Sequence, residues 1–223
     1  MIELAIQLKD LVNPEFYIQH GGLWLFLFIV FAETGLFAGF FLPGDSLLFV
    51  AGIYCNELAA EFFDLHYDFF NLLLVASLVV CAGVLGNIVG YWFGAASGPY
   101  LFNKKDSFFF KRKHLNAAKE FYDKHGGGAI VFARFLPIIR TFAPIVAGIV
   151  KMERGKFALY NVIGCIAWAI TMLFAGHYLY QFCLNQFGFD LKSKLELIVF
   201  GIIFVTTVPV ILRLLKKEKN KPI

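Results

Sequence analysis

Charge is scarce in this chain: 16% of its 223 residues are charged, 59% are hydrophobic, and the mean hydropathy is +0.70. A water-soluble domain carries about 25% charged residues, so a soluble globular fold is excluded and the apolar excess needs a membrane as its solvent. Linkers and low-complexity segments are lacking too, and the length suits one domain. No basic stretch precedes the first apolar run and no small-residue cleavage pattern follows it, so no removable signal peptide is expected. The four cysteines (Cys55, Cys81, Cys165, Cys183) have neither CxxC nor Cys/His spacing, which argues against a metal site or a disulfide framework. Cys81 and Cys165 lie in apolar runs and read as small packing residues, whereas Cys55 and Cys183 read as facing one aqueous side, which leaves a disulfide between them open. The net charge of +4 is spread between apolar runs, which argues against nucleic acid as a partner.

What is abundant is uncharged apolar sequence. No charged residue occurs from Phe69 to Asn103 or from Phe157 to Phe189, and Leu197 to Leu212 is a shorter apolar run. A spanning α-helix needs about 20 apolar residues, so three transmembrane helices are expected. Two other hydrophobic segments are broken: Gly22 to Asn56 by Glu33 and Pro43-Gly44-Asp45, and Ala129 to Val150 by Arg134, Pro137, Arg140 and Pro144. Proline removes a backbone donor, and freed carbonyls at membrane depth need protein or a water-lined cavity, so both segments read as re-entrant helical hairpins.

Fifteen of the twenty basic residues fall in three stretches, Lys104 to Lys124, Lys151 to Lys156 and Arg213 to Lys221, which the positive-inside rule assigns to the cytoplasm. The second broken segment then enters and leaves on one side. Glu57 to Asp68 is acidic without Lys or Arg and reads as external. The expected fold is an all-α polytopic membrane protein of two inverted halves, each a re-entrant hairpin followed by a transmembrane helix, plus a C-terminal helix. Its order is an interfacial helix over 1–21, a hairpin over 22–56, a transmembrane helix over 69–99 and a basic amphipathic cytoplasmic segment over 103–126. A second hairpin over 128–150, transmembrane helices over 157–181 and 197–215 and a cytoplasmic tail over 216–223 complete it. The basic segment suits the anionic lipids of the inner leaflet. Val50-Ala51-Gly52 and Val146-Ala147-Gly148 echo each other at the ends of the hairpins.

Glu33, Asp45, Arg134 and Arg140 are ionisable groups within apolar sequence, each costing about 2.5–3.5 kcal/mol at the centre of a membrane helix. Two readings are open: salt bridges that lock the halves together, or a transport site. A buried ion pair gains little stability after desolvation, which favours the site. Arginine forks suit phosphate, so Arg134 and Arg140 read as headgroup ligands; intramembrane carboxylates serve proton relays, so Glu33 and Asp45 read as proton carriers. Gly86, Gly90 and Gly94 recur at the spacing that admits a close helix neighbour, and His177 reads as a hydrogen-bonded structural residue. Trp168, Tyr178 and Tyr180 read as packing and interface residues. No cofactor and no metal is expected.

The strings FAETGLFAGFFLPGDSLLFVAG at 31–52, FARFLPIIRTFAPIVAG at 132–148 and YNVIGCIAW at 160–168 resemble the DedA family of bacterial inner-membrane proteins, within the VTT (SNARE-associated) superfamily. The resemblance implies that Glu33, Asp45, Arg134 and Arg140 are functionally required, and that Pro43, Gly44, Pro137, Thr141, Pro144 and Gly148 shape the hairpins. The chain departs from the family near Asn87 and Ala95, where many relatives carry an acidic and a basic residue. It also implies transport dependent on the proton-motive force, with a polyprenyl phosphate such as undecaprenyl phosphate as substrate and the bacterial inner membrane as location. Alternatives are a proton-coupled small-cation or solute transporter, a phospholipid scramblase and a non-transporting assembly factor, and an oligomer is not excluded. An enzyme such as a lipid phosphatase is disfavoured, since His20, His66, His114, His125 and His177 lie away from the charged motifs and no Ser-Gly-His-like string occurs.

Overall fold

The computed structural model describes residues 14–36, 44–63, 65–103, 128–135 and 137–188. Within them the chain is helical throughout, in the order α1 (Pro14–Gly35), α2 (Gly44–Ile53), α3 (Cys55–Ala60), α4 (Asp68–Asn103), α5 (Gly128–Ala133), α6 (Pro137–Ile149) and α7 (Arg154–Phe187). The helix expected over 197–215, the basic segment beyond Asn103, the tail, Pro43 and most of the expected interfacial helix lie outside the described residues.

Among the described residues, helices α4 and α7 are the two that are long and apolar enough to cross a membrane, and both run past the expected limits of 69–99 and 157–181. At 1.5 Å per residue their 36 and 34 residues give about 54 and 51 Å, well beyond the roughly 30 Å of hydrocarbon. They are antiparallel: Asp68 meets Gln181 at 3.2 Å, the Val84 carbonyl meets Asn161 at 3.2 Å, and Tyr91 stacks on Phe157 at 4.5 Å. Gly188, with φ of 60°, ends α7 by donating its N–H to the carbonyls of Cys183 and Leu184.

The shorter helices come in broken segments. Helix α1 is kinked at Gly22, where φ is 57° and a side chain would be strained. The freed Leu23 N–H is satisfied by Glu61 Oε2 at 2.8 Å. Helix α6 begins at Pro137, where the missing N–H does no harm, and contains Pro144, which denies the Arg140 carbonyl its helical donor. Helix α1 and the α5–α6 segment pack on both long helices between them, with α1 against α4, α5 against α7, and then α6 across to α4 and α2 across to α7.

Glycines set the two cross-contacts in matching fashion. A Cβ on Gly52 of α2 would fall on the Leu173 carbonyl of α7, and one on Gly176 on the Phe49 carbonyl. A Cβ on Gly148 of α6 would fall on the Tyr91 carbonyl of α4, and one on Gly94 on the Ile145 carbonyl. Gly86 is likewise closed by the Phe31 carbonyl of α1, so the glycine row of α4 serves two neighbours.

Burial is inside out relative to a soluble protein. Trp24, Phe28, Trp92 and Phe132 are exposed, while Glu33, Asn87, Arg134, Arg140, Asn161 and His177 are buried. An apolar surround is the solvent in which that distribution is favourable. The core gathers Leu23, Phe26, Leu47, Leu48, Leu72 and Trp168 between α1, α2, α4 and α7. At one end of the long helices lies a polar chain: Cys55 Sγ contacts His177 Nδ1 at 3.3 Å, His177 Nε2 contacts Gln181 at 3.1 Å, and Asp68 accepts from Asn56 at 2.8 Å as well as from Gln181. The disulfide left open between Cys55 and Cys183 is not formed; both thiols are free. Cys165 packs inside as expected, whereas Cys81 faces outward on α4, where the lipid is an equally apolar neighbour.

Candidate functional site

The four intramembrane charges come from both broken segments. Glu33 is two residues before the end of α1, Asp45 sits in the first turn of α2, Arg134 follows α5 and Arg140 sits in the first turn of α6. Asp45 therefore faces the positive end of its own helix, and Arg140 adds a cation to one. Folding brings Glu33, Asp45 and Arg140 into direct contact: Arg140 Nη2 pairs with Glu33 Oε1 and Arg140 Nη1 with Asp45 Oδ1, across 107 and 95 residues of sequence. Both salt bridges join α6 to the first broken segment.

Arg134 is placed differently. Among the described residues it has no carboxylate within ion-pair distance. Two amides stand at its guanidinium: Asn161 Oδ1 accepts from Nη1 at 3.3 Å, and with the Asn87 amide turned so that its nitrogen faces the Thr34 carbonyl at 3.0 Å, the Asn87 oxygen lies 2.6 Å from Nη1 and 3.2 Å from Nη2. Trp168 stands beside both arginines, its ring 5.3 Å from the Arg134 guanidinium carbon and 5.1 Å from that of Arg140, at cation–π distance. Its indole N–H donates to Asp45 Oδ1 at 2.8 Å. Trp168 thus holds an acid and flanks two cations, a role beyond the packing expected of it. Asn87, Asn161 and Thr34 were no part of the sequence-predicted site; the one available signal was an amide in an otherwise apolar helix.

Three side-chain atoms in this cluster are buried without a hydrogen-bond partner among the described residues: Glu33 Oε2, Arg134 Nε and Arg140 Nε. Arg134, Arg140, Thr34, Asn87, Ile130, Ala143 and Pro144 line a cavity of about 10 Å³, room for one water. Of the residues expected to shape the segments, Gly44 lets the Glu33 carboxylate lie against the start of α2, where a Cβ would meet it, and Gly148 seats α6 on α4. Pro144 lines the cavity, Thr141 is buried in α6, and Pro137 starts that helix. The arrangement can exchange carboxylate for another oxyanion on arginine, and a proton for arginine on carboxylate.

The VTT domain family matches residues 42–178. Protein DedA of Escherichia coli (strain K12) is 37% identical over 98% of this chain and 92% of its own length. An uncharacterized membrane protein of Mycobacterium tuberculosis (strain H37Rv) is 31% identical over 96% of this chain and 92% of its own. The protein named undecaprenyl phosphate transporter A of Bacillus subtilis (strain 168) is 31% identical over 44% of this chain and 52% of its own. No solved structure matches. With a VTT domain over most of its length, near full-length identity to DedA and apolar helices long enough to cross a bilayer, the chain is a membrane protein that belongs to the DedA family.

Proposed function

We propose that this chain translocates a polyprenyl phosphate carrier lipid, of the undecaprenyl phosphate kind, across the bacterial inner membrane in a cycle coupled to protons. The observation that carries the reading is the sharing of one guanidinium by two carboxylates, Arg140 between Glu33 and Asp45, with Arg134 beside them and no carboxylate on it. Protonation of both Glu33 and Asp45 releases Arg140, and a guanidinium fork so released matches a phosphate. The cavity of about 10 Å³ has room for a water and none for a phosphate, so the headgroup is admitted as the two broken segments part. The name of the Bacillus subtilis relative points the same way.

In this reading the broken segments are re-entrant hairpins over 22–56 and 128–150, shaped by Pro43, Gly44, Pro137, Thr141, Pro144 and Gly148, and they dip in from opposite faces of two inverted halves. The short lengths of Gly21–Gly35, Gly44–Ile53 and Ile139–Ile149 support it, being less than the roughly 20 residues of a crossing helix. So do the matched glycine seats of α2 on α7 and α6 on α4. The basic stretches put the C-terminus in the cytoplasm. The Cys55–His177 pair lies about two and a half turns along α7 from Trp168, too far to act on a phosphate at Arg134, which keeps the reading with transport and away from hydrolysis.

The test is translocation of a chemically trapped polyprenyl phosphate in proteoliposomes under an imposed pH gradient, with Glu33→Gln and Arg140→Ala as comparisons. Gradient-dependent movement in the parent chain, lost in both variants, is expected. Movement that ignores any gradient makes the protein a scramblase, and no movement by folded, inserted protein turns the assignment toward a small solute or an assembly role.

A further inference from the structure

The formal charges of Glu33, Asp45, Arg134 and Arg140 sum to zero, but they are divided unevenly. Arg140 and its two carboxylates form a triad of net charge −1. Arg134 carries +1 outside the triad, 4% exposed, with its Nε unpartnered and its other nitrogens on the Asn87 and Asn161 amides. An amide oxygen orients a guanidinium without discharging it. The remaining groups facing the cluster are neutral from every packed helix: Thr34 of α1, Asn87 of α4, Ala143 and Pro144 of α6, and Trp168 with the Cys165 thiol of α7, the latter 3.5 Å from Asn161. Among the described residues nothing else compensates either part.

An anion that settles on Arg134 alone makes the whole site negative, at a depth where net charge is unfavourable. One proton on an acid cancels it, and Glu33 Oε2, buried and without a hydrogen bond, is the open position for that proton. We infer that Arg134 is the standing contact for the phosphate, that Asn87 and Asn161 are positioning residues keeping it uncompensated, and that Glu33 and Asp45 surrender Arg140 only as protons arrive, so the site takes up one proton per negative charge bound. The inference rests on the phosphate-lipid reading above.

The balance closes for both ionic forms of a phosphate monoester, whose second dissociation lies near pH 6. A monoanion enters with one proton, which forms an O–H on Glu33 while Arg140 stays on Asp45. A dianion enters with two, both acids become neutral, and both guanidinium forks face phosphate oxygens. Each proton comes from water and returns to it when the phosphate leaves. Loaded and closed forms are then both neutral, so transport follows a pH difference and does not respond to membrane potential.

The test begins with purified full-length protein in weakly buffered detergent containing a pH-indicating dye, with farnesyl phosphate as probe and farnesol as control. Close to two protons should be taken up per farnesyl phosphate bound at pH 7.5, and none with farnesol. Asn87→Asp, which sets a carboxylate against Arg134, should weaken binding tenfold or more, and Asn87→Gln, which keeps the amide, should retain it. In proteoliposomes, a potassium diffusion potential without a pH gradient should change the transport rate by less than twofold. Binding without proton uptake, or transport driven by potential alone, overturns the inference and leaves the phosphate reading standing. No binding of farnesyl phosphate by folded protein overturns that reading, and this inference with it.

Discussion

Two buried polar clusters lie along the same long helices and are built in opposite ways. In the chain from Cys55 through His177 and Gln181 to Asp68 and Asn56, each group has a neighbour with which it shares a hydrogen. In the cluster of Glu33, Asp45, Arg134 and Arg140 one guanidinium serves two carboxylates, and among the described residues the other has no carboxylate and three buried atoms have no partner. Buried polar groups in proteins are nearly always satisfied, so the contrast separates a fastening from a site held ready for exchange. The first cluster completes its bonding within the chain; the second leaves bonding capacity for something that arrives.

Substitution at the charged cluster should break that contrast most severely. Arg140→Ala strands two carboxylates, and removing one partner of a buried pair costs about 3–5 kcal/mol. Transport should fall to the protein-free background and the melting temperature in detergent should drop. Combining Arg140→Ala with Glu33→Gln and Asp45→Asn should restore much of the melting temperature and none of the transport, and recovery of transport would show that the charges serve only to lock. Gly148→Val comes next. Its side chain has no space against the Tyr91 carbonyl, overpacking costs about 1–3 kcal/mol, and transport should fall in step with the amount of folded protein recovered.

Trp168→Phe is subtler. It keeps the ring beside both arginines and removes the N–H donated to Asp45, a bond to a charged group worth about 1.5–3 kcal/mol. The expected result is a drop of several degrees in melting temperature together with a tenfold or larger loss of transport per folded molecule; transport that falls only in step with the folded protein recovered would reduce Trp168 to a packing residue. The smallest effect belongs to the satisfied cluster. His177→Ala should lower stability by about 1–3 kcal/mol and leave transport per folded molecule within twofold. A larger transport defect there would erase the distinction between the clusters.

The charged residues were legible in the sequence because a charge within an apolar run is an anomaly that needs a cause. The helix start at Pro137 and the two long helices were legible for the same kind of reason, composition that only one solvent tolerates. The asymmetry between the arginines was not. Whether Arg140 or Arg134 meets the acids depends on which turns of α1, α2 and α6 converge, and residues 95 and 107 positions apart leave no periodic trace. Asn87, Asn161 and Trp168 are ordinary members of membrane helices, and they acquire their parts only from what packs opposite. The DedA resemblance supplied the four charges and could not say that an amide pair stands where the second counter-charge would be expected.

Gly52 and Gly148 touch no charge, yet they stand seven and eight residues beyond Asp45 and Arg140, about 10 and 12 Å along a straight helix. Each works as the zero mark of a ruler whose far end carries a charged group. Lengthening or shifting either ruler by one residue would turn its charge through about 100° around the helix, away from its counterpart, without altering a single ionisable side chain. The electrostatics of this membrane interior are therefore set partly by length, and residues with no side chain determine where that length begins.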